Sequence, residues 1–279
     1  MFQIKPIKKV GLVVKDVGES KKTAREIQKY LASKNVEIVF DDWSAKKIGF
    51  EQMQCRIQDF DTDIILTLGG DGAILKTTAL TCDKKIPILG INFGKIGFLT
   101  EIRPDEWKNA IDRILEGNYT VEKRKKIEVL IDKEKIGNAL NEAVIMTSEP
   151  VKMLNLEVHV DGQAAEILRA DGIIISTPTG STAYSMSAGG PIVSPDVSAF
   201  IITSICPFKL GIRSFVVPQK SKITVKTAEP KKEALLVIDG EHAGRISPDS
   251  QVLLQRSKEN AYFVKFDSDF YRRIKERLQ

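Results

Sequence analysis

Apolar runs and helical periods alternate along the first part of the chain. Val10 to Val14 is a continuous apolar run, Ala24, Ile27 and Leu31 recur at helical spacing, and Val36 to Phe40 is apolar again. The pattern predicts a strand, a helix and a strand. It continues with a short helix around Phe50 to Ile57, a buried strand over Ile64 to Leu68, a helix from Ala73 and a strand over Pro87 to Ile91. Unbroken apolar strands separated by helices imply a parallel sheet with helices on its faces. A further helix over Pro104 to Leu115 carries proline in its first turn and stops before Gly117. These elements make residues 1–118 an α/β domain.

After Asn118 the period shortens to two. Leu156, Val158 and Val160 alternate with Glu157, His159 and Asp161, and Asp161-Gly162 reads as a hairpin turn. Further strands are expected over Gly172 to Ser176, Ala199 to Ile205, Phe215 to Val217, Ile223 to Thr227, Ala234 to Ile238 and Gln251 to Gln255. Residues 119–262 are therefore expected to form a β-rich, sandwich-like domain. The tail returns to helical spacing over Phe270 to Leu278, so residues 263–279 are expected to fold back as a helix on the N-terminal domain.

Composition narrows the chemistry. With 42% hydrophobic residues in 279, the chain can bury a large core. No apolar run approaches the ~18 residues a bilayer crossing needs, and MFQIKPIKKV lacks the apolar centre of a leader. A soluble cytoplasmic protein without a membrane partner is expected. Cys55, Cys82 and Cys206 lack Cys-x-x-Cys spacing and read as isolated buried thiols. With only His159 and His242 present, acid-base work falls mainly on carboxylates, and His159, on the polar face of its strand, reads as solvated. The net charge is +5, and its densest runs, Lys123 to Lys126 and Arg272 to Arg277, are not interleaved with aromatics. They read as solvated faces, with no nucleic-acid partner.

The strongest local signal is Gly69-Gly70-Asp71-Gly72, between a buried strand and a helix. Ligands of an open parallel sheet bind beyond the carboxyl ends of its strands, and glycines there admit phosphate oxygens to backbone N–H groups. Asp71 either accepts a proton from a reacting hydroxyl or holds a metal, or it caps the helix. Gly90 to Ile96 has three residues between its glycines where a Walker A loop needs four, and Leu75 stands where a dinucleotide fingerprint needs its third glycine. Gly94-Lys95-Ile96-Gly97-Phe98 leaves the next strand and is expected beside the first glycine turn. In the β-rich half, Asn141-Glu142 sits either at a plain strand end or facing a cleft. Arg169-Ala170-Asp171-Gly172 leads into a strand and then a loop, Thr177 to Ser185, carrying six hydroxyls. These hydroxyls either bond a sugar or base or close the loop's own turns.

In order, GGDG at Gly69 to Gly72, GINFGKIGFL at Gly90 to Leu99, NEAV at Asn141 to Val144 and RADGIIISTPTGSTAYSMSAGGPIV at Arg169 to Val193 resemble the NAD kinase family. Lipid kinases and phosphofructokinases share the GGD turn alone. The resemblance implies transfer of the γ-phosphoryl of ATP to the adenosine-ribose 2′-hydroxyl of NAD, with NAD and ATP as substrates and a divalent metal, usually magnesium. Carried onto this sequence, it makes Asp71 the general base, with Gly70, Gly72 and Phe98 beside the ligand. Asn141 and Glu142 would contact the adenosine half. Arg169, Asp171, Thr179, Thr182, Ala183, Tyr184, Ser185 and Ser187 would hold the rest of the dinucleotide, and Glu241, in the turn with His242, lies on the ligand side. A homo-oligomer, dimer or tetramer, is also implied. One residue departs from the pattern: Ala73 stands where the family usually has threonine. That departure keeps a catalytically silent NAD(P)-binding regulator as an alternative, beside a kinase of another hydroxyl.

Overall fold

The computed structural model describes residues 5–15, 18–82, 84–94, 97–149, 151–228, 232–266 and 270–278. The chain forms two compact units, Met1–Lys123 with Ala261–Gln279, and Arg124–Asn260.

In the first unit the chain runs β1 (Lys9–Val14), α1 (Glu19–Ser33), β2 (Glu37–Asp41), α2 (Asp42–Ile48), β3 (Gln54–Cys55), β4 (Ile64–Gly69), α3 (Asp71–Leu80), β5 (Ile88–Asn92) and α4 (Trp107–Leu115). The strands are parallel in the order β5-β4-β1-β2-β3. β1, β4 and β5 are buried almost throughout, as their unbroken apolar runs require. Ala24, Ile27 and Leu31 of α1 and Ala110, Ile111 and Ile114 of α4 join them in one apolar core.

The second helix lies earlier than its spacing suggested. Asp41 accepts a hydrogen bond from Ser44 N–H as the N-cap, and Gly49, at φ +87°, ends α2 in the left-handed conformation. Phe50 to Ile57 forms only short 3-10 turns and β3, because Gly49 has already turned the chain.

The second unit contains β6 (Thr120–Ile131), which begins in the first unit, then β7 (Glu134–Ala139), β8 (Glu142–Thr147), β9 (Leu154–Val160), β10 (Gln163–Ala170), β11 (Gly172–Ser176), α5 (Tyr184–Ser187), β12 (Ala199–Ile205), β13 (Phe215–Pro218), β14 (Ile223–Thr227), β15 (Ala234–Ile238), β16 (Glu241–Ile246) and β17 (Gln251–Lys265). One antiparallel sheet has the order β13-β12-β11-β8-β15-β16; the other joins β10, β9, β14 and β17, with β6 and β7 attached. Their apolar faces form one core that includes Ile145, Ile175, Leu156 and Val225. Asp161 and Gly162 both have positive φ, 51° and 82°, as a two-residue hairpin turn demands.

β17 continues past its expected end to Lys265, and its last residues, from Ala261 on, belong to the first unit with α6 (Phe270–Leu278). There buried Arg273 donates to the Thr100 carbonyl and, at 2.9 Å, to the Glu101 carboxylate, which also pairs with Lys265 at 2.5 Å. No helix among the described residues is long and apolar enough to cross a membrane.

Two expectations about side chains fail. Cys82 and Cys206 are exposed and Cys55 is half-buried, so the three thiols are isolated but not buried. Nor is either basic run a solvated face throughout, since Arg273 is buried against Glu101 and half of Lys123 to Lys126 is buried as well. Strand alternation turns Arg124 and Lys126 to one side of β6, where both are buried, and Ile127 and Val129 to the other, where they join the core. A strand covered on both faces cannot leave all four charges in water.

Candidate active site

In the first unit the carboxyl ends of β1, β4 and β5 meet at the glycine turn. Gly70 is the N-cap residue of α3, so Asp71 stands inside the first turn and does not cap it. Its carboxylate instead reaches the segment after β5, accepting from Phe98 N–H at 2.8 Å, Leu99 N–H at 3.1 Å and Thr100 N–H at 3.2 Å. One acceptor-only side chain thus fixes three successive peptides. Gly97 makes room for it: a Cβ there would stand 2.8 Å from Asp71 Cγ and 2.6 Å from Thr100 Oγ1. Of the second glycine-rich segment, Lys95 and Ile96 lie outside the described residues.

The turn is open at Gly70, and a cation overlooks it at Gly72. Lys15, directly after β1, holds its Nζ 2.8 Å from where a Gly72 Cβ would stand. Ala73 faces the other way, buried at 2% exposure, its Cβ 3.0 Å from where a Gly69 Cβ would stand. The missing threonine hydroxyl is therefore missing from a packed turn. A cleft of about 530 Å³ lies alongside the Asp71-bound segment, lined by Asn92, Gly97, Thr100, Arg113 and Arg273 among others.

The second unit repeats the device. Asp239, at φ +49° in the β15–β16 turn, accepts from Leu140 N–H at 2.7 Å, Asn141 N–H at 2.8 Å and Glu142 N–H at 3.1 Å. From the opposite side Thr177 Oγ1 donates to the Leu140 carbonyl at 2.6 Å, and Thr177 N–H donates to the Asn141 carbonyl at 2.9 Å. Gly180 packs so closely that its Cβ would stand 2.7 Å from Asn141 Cα. The Asn141–Glu142 segment is held from both sides, and both residues are buried.

Glu142 is strongly perturbed electrostatically. Its Oε2 has no hydrogen-bond partner among the described residues. Burial, then the neighbouring Asp239 carboxylate, push its carboxyl up to about 8, while the Tyr184 backbone N–H acts the other way. Burial also pushes Asp239 up, opposed by its three amides and by the Lys126 ammonium. Three amides and a cation favour the charge on Asp239, so Glu142 holds the proton of the pair.

The hydroxyl loop serves mainly itself. Thr177 Oγ1 accepts from Gly180 N–H, Ser181 Oγ donates to the Pro178 carbonyl, Thr182 Oγ1 donates to the Thr179 carbonyl, and Ser185 Oγ bonds Thr203 Oγ1. Self-closed turns account for the first three and a bond to β12 for Ser185, and all four residues are buried. Thr179 Oγ1 accepts from Arg124 at 3.1 Å. Ala183 is half-buried, and Tyr184 and Ser187 are the members that face outward.

Asn141, Glu142, Thr179 and Tyr184 are thus gathered around one end of β8 and β11. Arg169 and Asp171 are not among them. Glu142 pairs with Ser176 while Gly172 pairs with Met146, which puts Asp171 at the other end of β11, roughly 17 Å away. There Arg169 lies exposed, its guanidinium 5.5 Å from the Phe208 ring centre. Glu241 is exposed at the start of β16, two residues from Asp239.

Sequence reasoning overlooked Lys15, Arg124, Lys126 and Asp239. The signal for Asp239 was its Asp-Gly pair between two β runs, and for Arg124 and Lys126 it was their alternation inside a strand. Nothing local marks Lys15. Among the described residues no group of three or more His, Cys, Asp or Glu side chains converges as a metal cage.

The sequence matches the family model for the ATP-NAD kinase N-terminal domain over residues 10–119 and that for the ATP-NAD kinase C-terminal domain over residues 140–266. An NAD kinase of Methanothermobacter thermautotrophicus is 47% identical, with 97% of this chain and 96% of that protein covered. The crystal structure of a yeast NADH kinase complexed with NADH superposes with a TM-score of 0.90 at 26% identity, covering 98% of this chain and 88% of that one. An NAD kinase from Archaeoglobus fulgidus in complex with ATP gives 0.79 at 29% identity, covering 95% and 96%. The turn anchored by Asp71 and the segment anchored by Asp239 therefore lie in a chain that belongs to the ATP-NAD kinase family.

Proposed function

We propose that this protein is an NAD kinase whose Asp71 accepts the proton of the adenosine-ribose 2′-hydroxyl as that oxygen attacks the γ-phosphorus of ATP, giving NADP and ADP. The observation that carries this reading is the placement of Asp71, a carboxylate oriented by three amides at the carboxyl edge of a parallel sheet, beside a glycine turn open to phosphate. Gly70 and Gly72 let phosphate oxygens approach the first amides of α3, and the helix dipole favours their charge. Lys15 adds a cation above the same turn, and Phe98 is fixed there by its bond to Asp71.

Asn141 and Glu142 bind the adenosine half of NAD. With its proton in place, Glu142 is a hydrogen-bond donor as well as an acceptor, so it can meet a ribose or base acceptor without bringing a second anion to a phosphate-bearing ligand. Tyr184 offers a stacking face, with Thr179, Thr182, Ala183, Ser185 and Ser187 shaping that wall. Arg169, Asp171 and Glu241 serve more distant parts of the dinucleotide. The described residues do not form a metal cage, and we assign magnesium to the donor, entering as a complex with the ATP phosphates. The same reading places the protein in the cytoplasm as a homo-oligomer.

The test is NADP formation from NAD and magnesium with ATP and with polyphosphate as separate donors. Turnover with at least one donor is expected, and Asn141→Ala should raise KM for NAD by ~10-fold or more while KM for ATP stays close to wild type. Absence of NADP with either donor overturns the reading.

A further inference from the structure

Among the described side chains of α6 only Arg273 is buried; Phe270 and Ile274 are half-buried. An apolar side chain would dock the helix without the cost of desolvating a guanidinium, so docking alone does not call for arginine here. The fork closes instead on the segment that Asp71 holds. Arg273 Nη1 donates to the Thr100 carbonyl and, at 3.4 Å, to the Phe98 carbonyl, while Nη2 donates to the Glu101 carbonyl at 3.4 Å and to its carboxylate at 2.9 Å. Asp71 takes the N–H groups of residues 98–100, so an anion holds the amides of this segment and a cation its carbonyls. Glu101 aims the guanidinium. Its buried carboxylate also accepts from Lys265 Nζ at 2.5 Å and from Phe266 N–H at 3.1 Å, which ties it to the end of β17.

We propose that Arg273 is a positioning residue for phosphoryl transfer, its guanidinium fixing residues 98–101 so that their amides hold the Asp71 carboxylate in the orientation proton transfer needs. The inference rests on the reading of Asp71 as the proton acceptor. A carboxylate is placed only as well as its donors are, and a misplacement of about 1 Å can cost ~10²-fold in rate. The planar fork can meet two carbonyls and a carboxylate at once, which a lysine ammonium on a flexible stem does not reproduce.

Arg273→Met removes both fork and charge; Arg273→Lys keeps a charge for Glu101 and loses the fork. Each is combined with Asp71→Asn. The measurements are kcat and KM for NAD, melting curves, and hydrogen exchange of a peptide containing residues 98–100. Arg273→Met should lower kcat by ~10-fold or more with KM for NAD within ~3-fold of wild type, and residues 98–100 should exchange ~10-fold faster or more. In the Asp71→Asn background the same change should lower kcat by no more than ~3-fold, because the carboxylate through which it acts is gone. A merely structural arginine would cost the same factor in both backgrounds, and that result overturns the proposal. So does a folded Arg273→Met enzyme with wild-type kcat, or with unchanged exchange at residues 98–100. If Arg273→Met does not fold, Arg273→Lys carries the same cycle with the same outcomes. Asp71→Asn with wild-type kcat would defeat the proton-acceptor reading, a result distinct from an additive cycle. Wild type without NADP formation would defeat the kinase reading, and exchange would still test the hold of Arg273 on the segment.

Discussion

The two roles open to Asp71, proton acceptor and fastener of residues 98–100, predict different results for two substitutions. Asp71→Asn preserves the shape of the side chain. Its single oxygen can still accept from Leu99 and Thr100, but the amide NH₂ replaces Oδ2 and points at Phe98 N–H, donor against donor. The lost bond and stranded donor cost about 1–3 kcal/mol, or a melting shift of several degrees at ~2–4 °C per kcal/mol for a domain of this size. Gly97→Ala leaves the carboxylate in place chemically and moves it physically. Its Cβ would stand 2.8 Å from Asp71 Cγ, nearer than side chains in folded proteins come, and both the carboxylate and Thr100 must shift. Breaking one or two charge-assisted bonds there costs about 2–5 kcal/mol.

Stability should therefore fall in both variants, and kinetics separates the roles. If Asp71 takes the ribose proton, Asp71→Asn lowers kcat by ~10²-fold or more at saturating NAD and ATP, with KM for NAD within ~3-fold of wild type. Gly97→Ala should lose a comparable factor, because a misplacement of about 1 Å can cost ~10²-fold. NADP production beside a melting curve for each variant makes the comparison. A folded Asp71→Asn enzyme with wild-type kcat would refute the proton-acceptor role and leave the carboxylate as a fastener. Gly97→Ala with unchanged melting and turnover would refute the account of why glycine stands there.

The remaining predictions concern the second unit and the family departure. Glu142 is held near 8 in the fold against about 4.3 in an unfolded chain, so across that interval the native state keeps a proton the unfolded state has lost. Stability should consequently fall as pH rises from ~5 to 8. Glu142→Gln lacks that dependence, and its melting temperature relative to wild type should climb over the window; a constant difference refutes the buried-acid assignment. Ala73→Thr puts a hydroxyl into the packed turn at Gly69, so KM for ATP should change by no more than ~10-fold and wild type should already be active. A silent wild type switched on by the threonine would favour the regulator reading.

Most of the first unit's order was legible because each fully buried strand shows as an unbroken apolar run, β4 at Ile64–Gly69 being the clearest. α2 was not, because its seven residues carry only a short apolar period and its limits depend on the Asp41 cap and the left-handed Gly49. The site divides the same way. Gly70, Asp71, Asn141 and Glu142 stand in short motifs readable in any register. Asp239 acts on amides 97 to 99 residues away, and no local pattern reports such a contact.

That distance suggests why one device occurs twice. A loop at the end of a strand has donors that no ladder satisfies, and buried donors of this kind must find acceptors. A single aspartate side chain offers two oxygens and accepts from three successive amides, so Asp71 fixes residues 98–100 and Asp239 fixes residues 140–142. Ligand contacts built on such loops gain the rigidity of a sheet while their outward groups stay available. Each fastening also needs a glycine close by, Gly97 against Asp71 and Gly180 against Asn141, since a methyl at either position meets the held groups inside 3 Å. An aspartate from afar and a glycine at hand together make the loop rigid, which is why a change at Gly97 should reach turnover without touching a substrate atom.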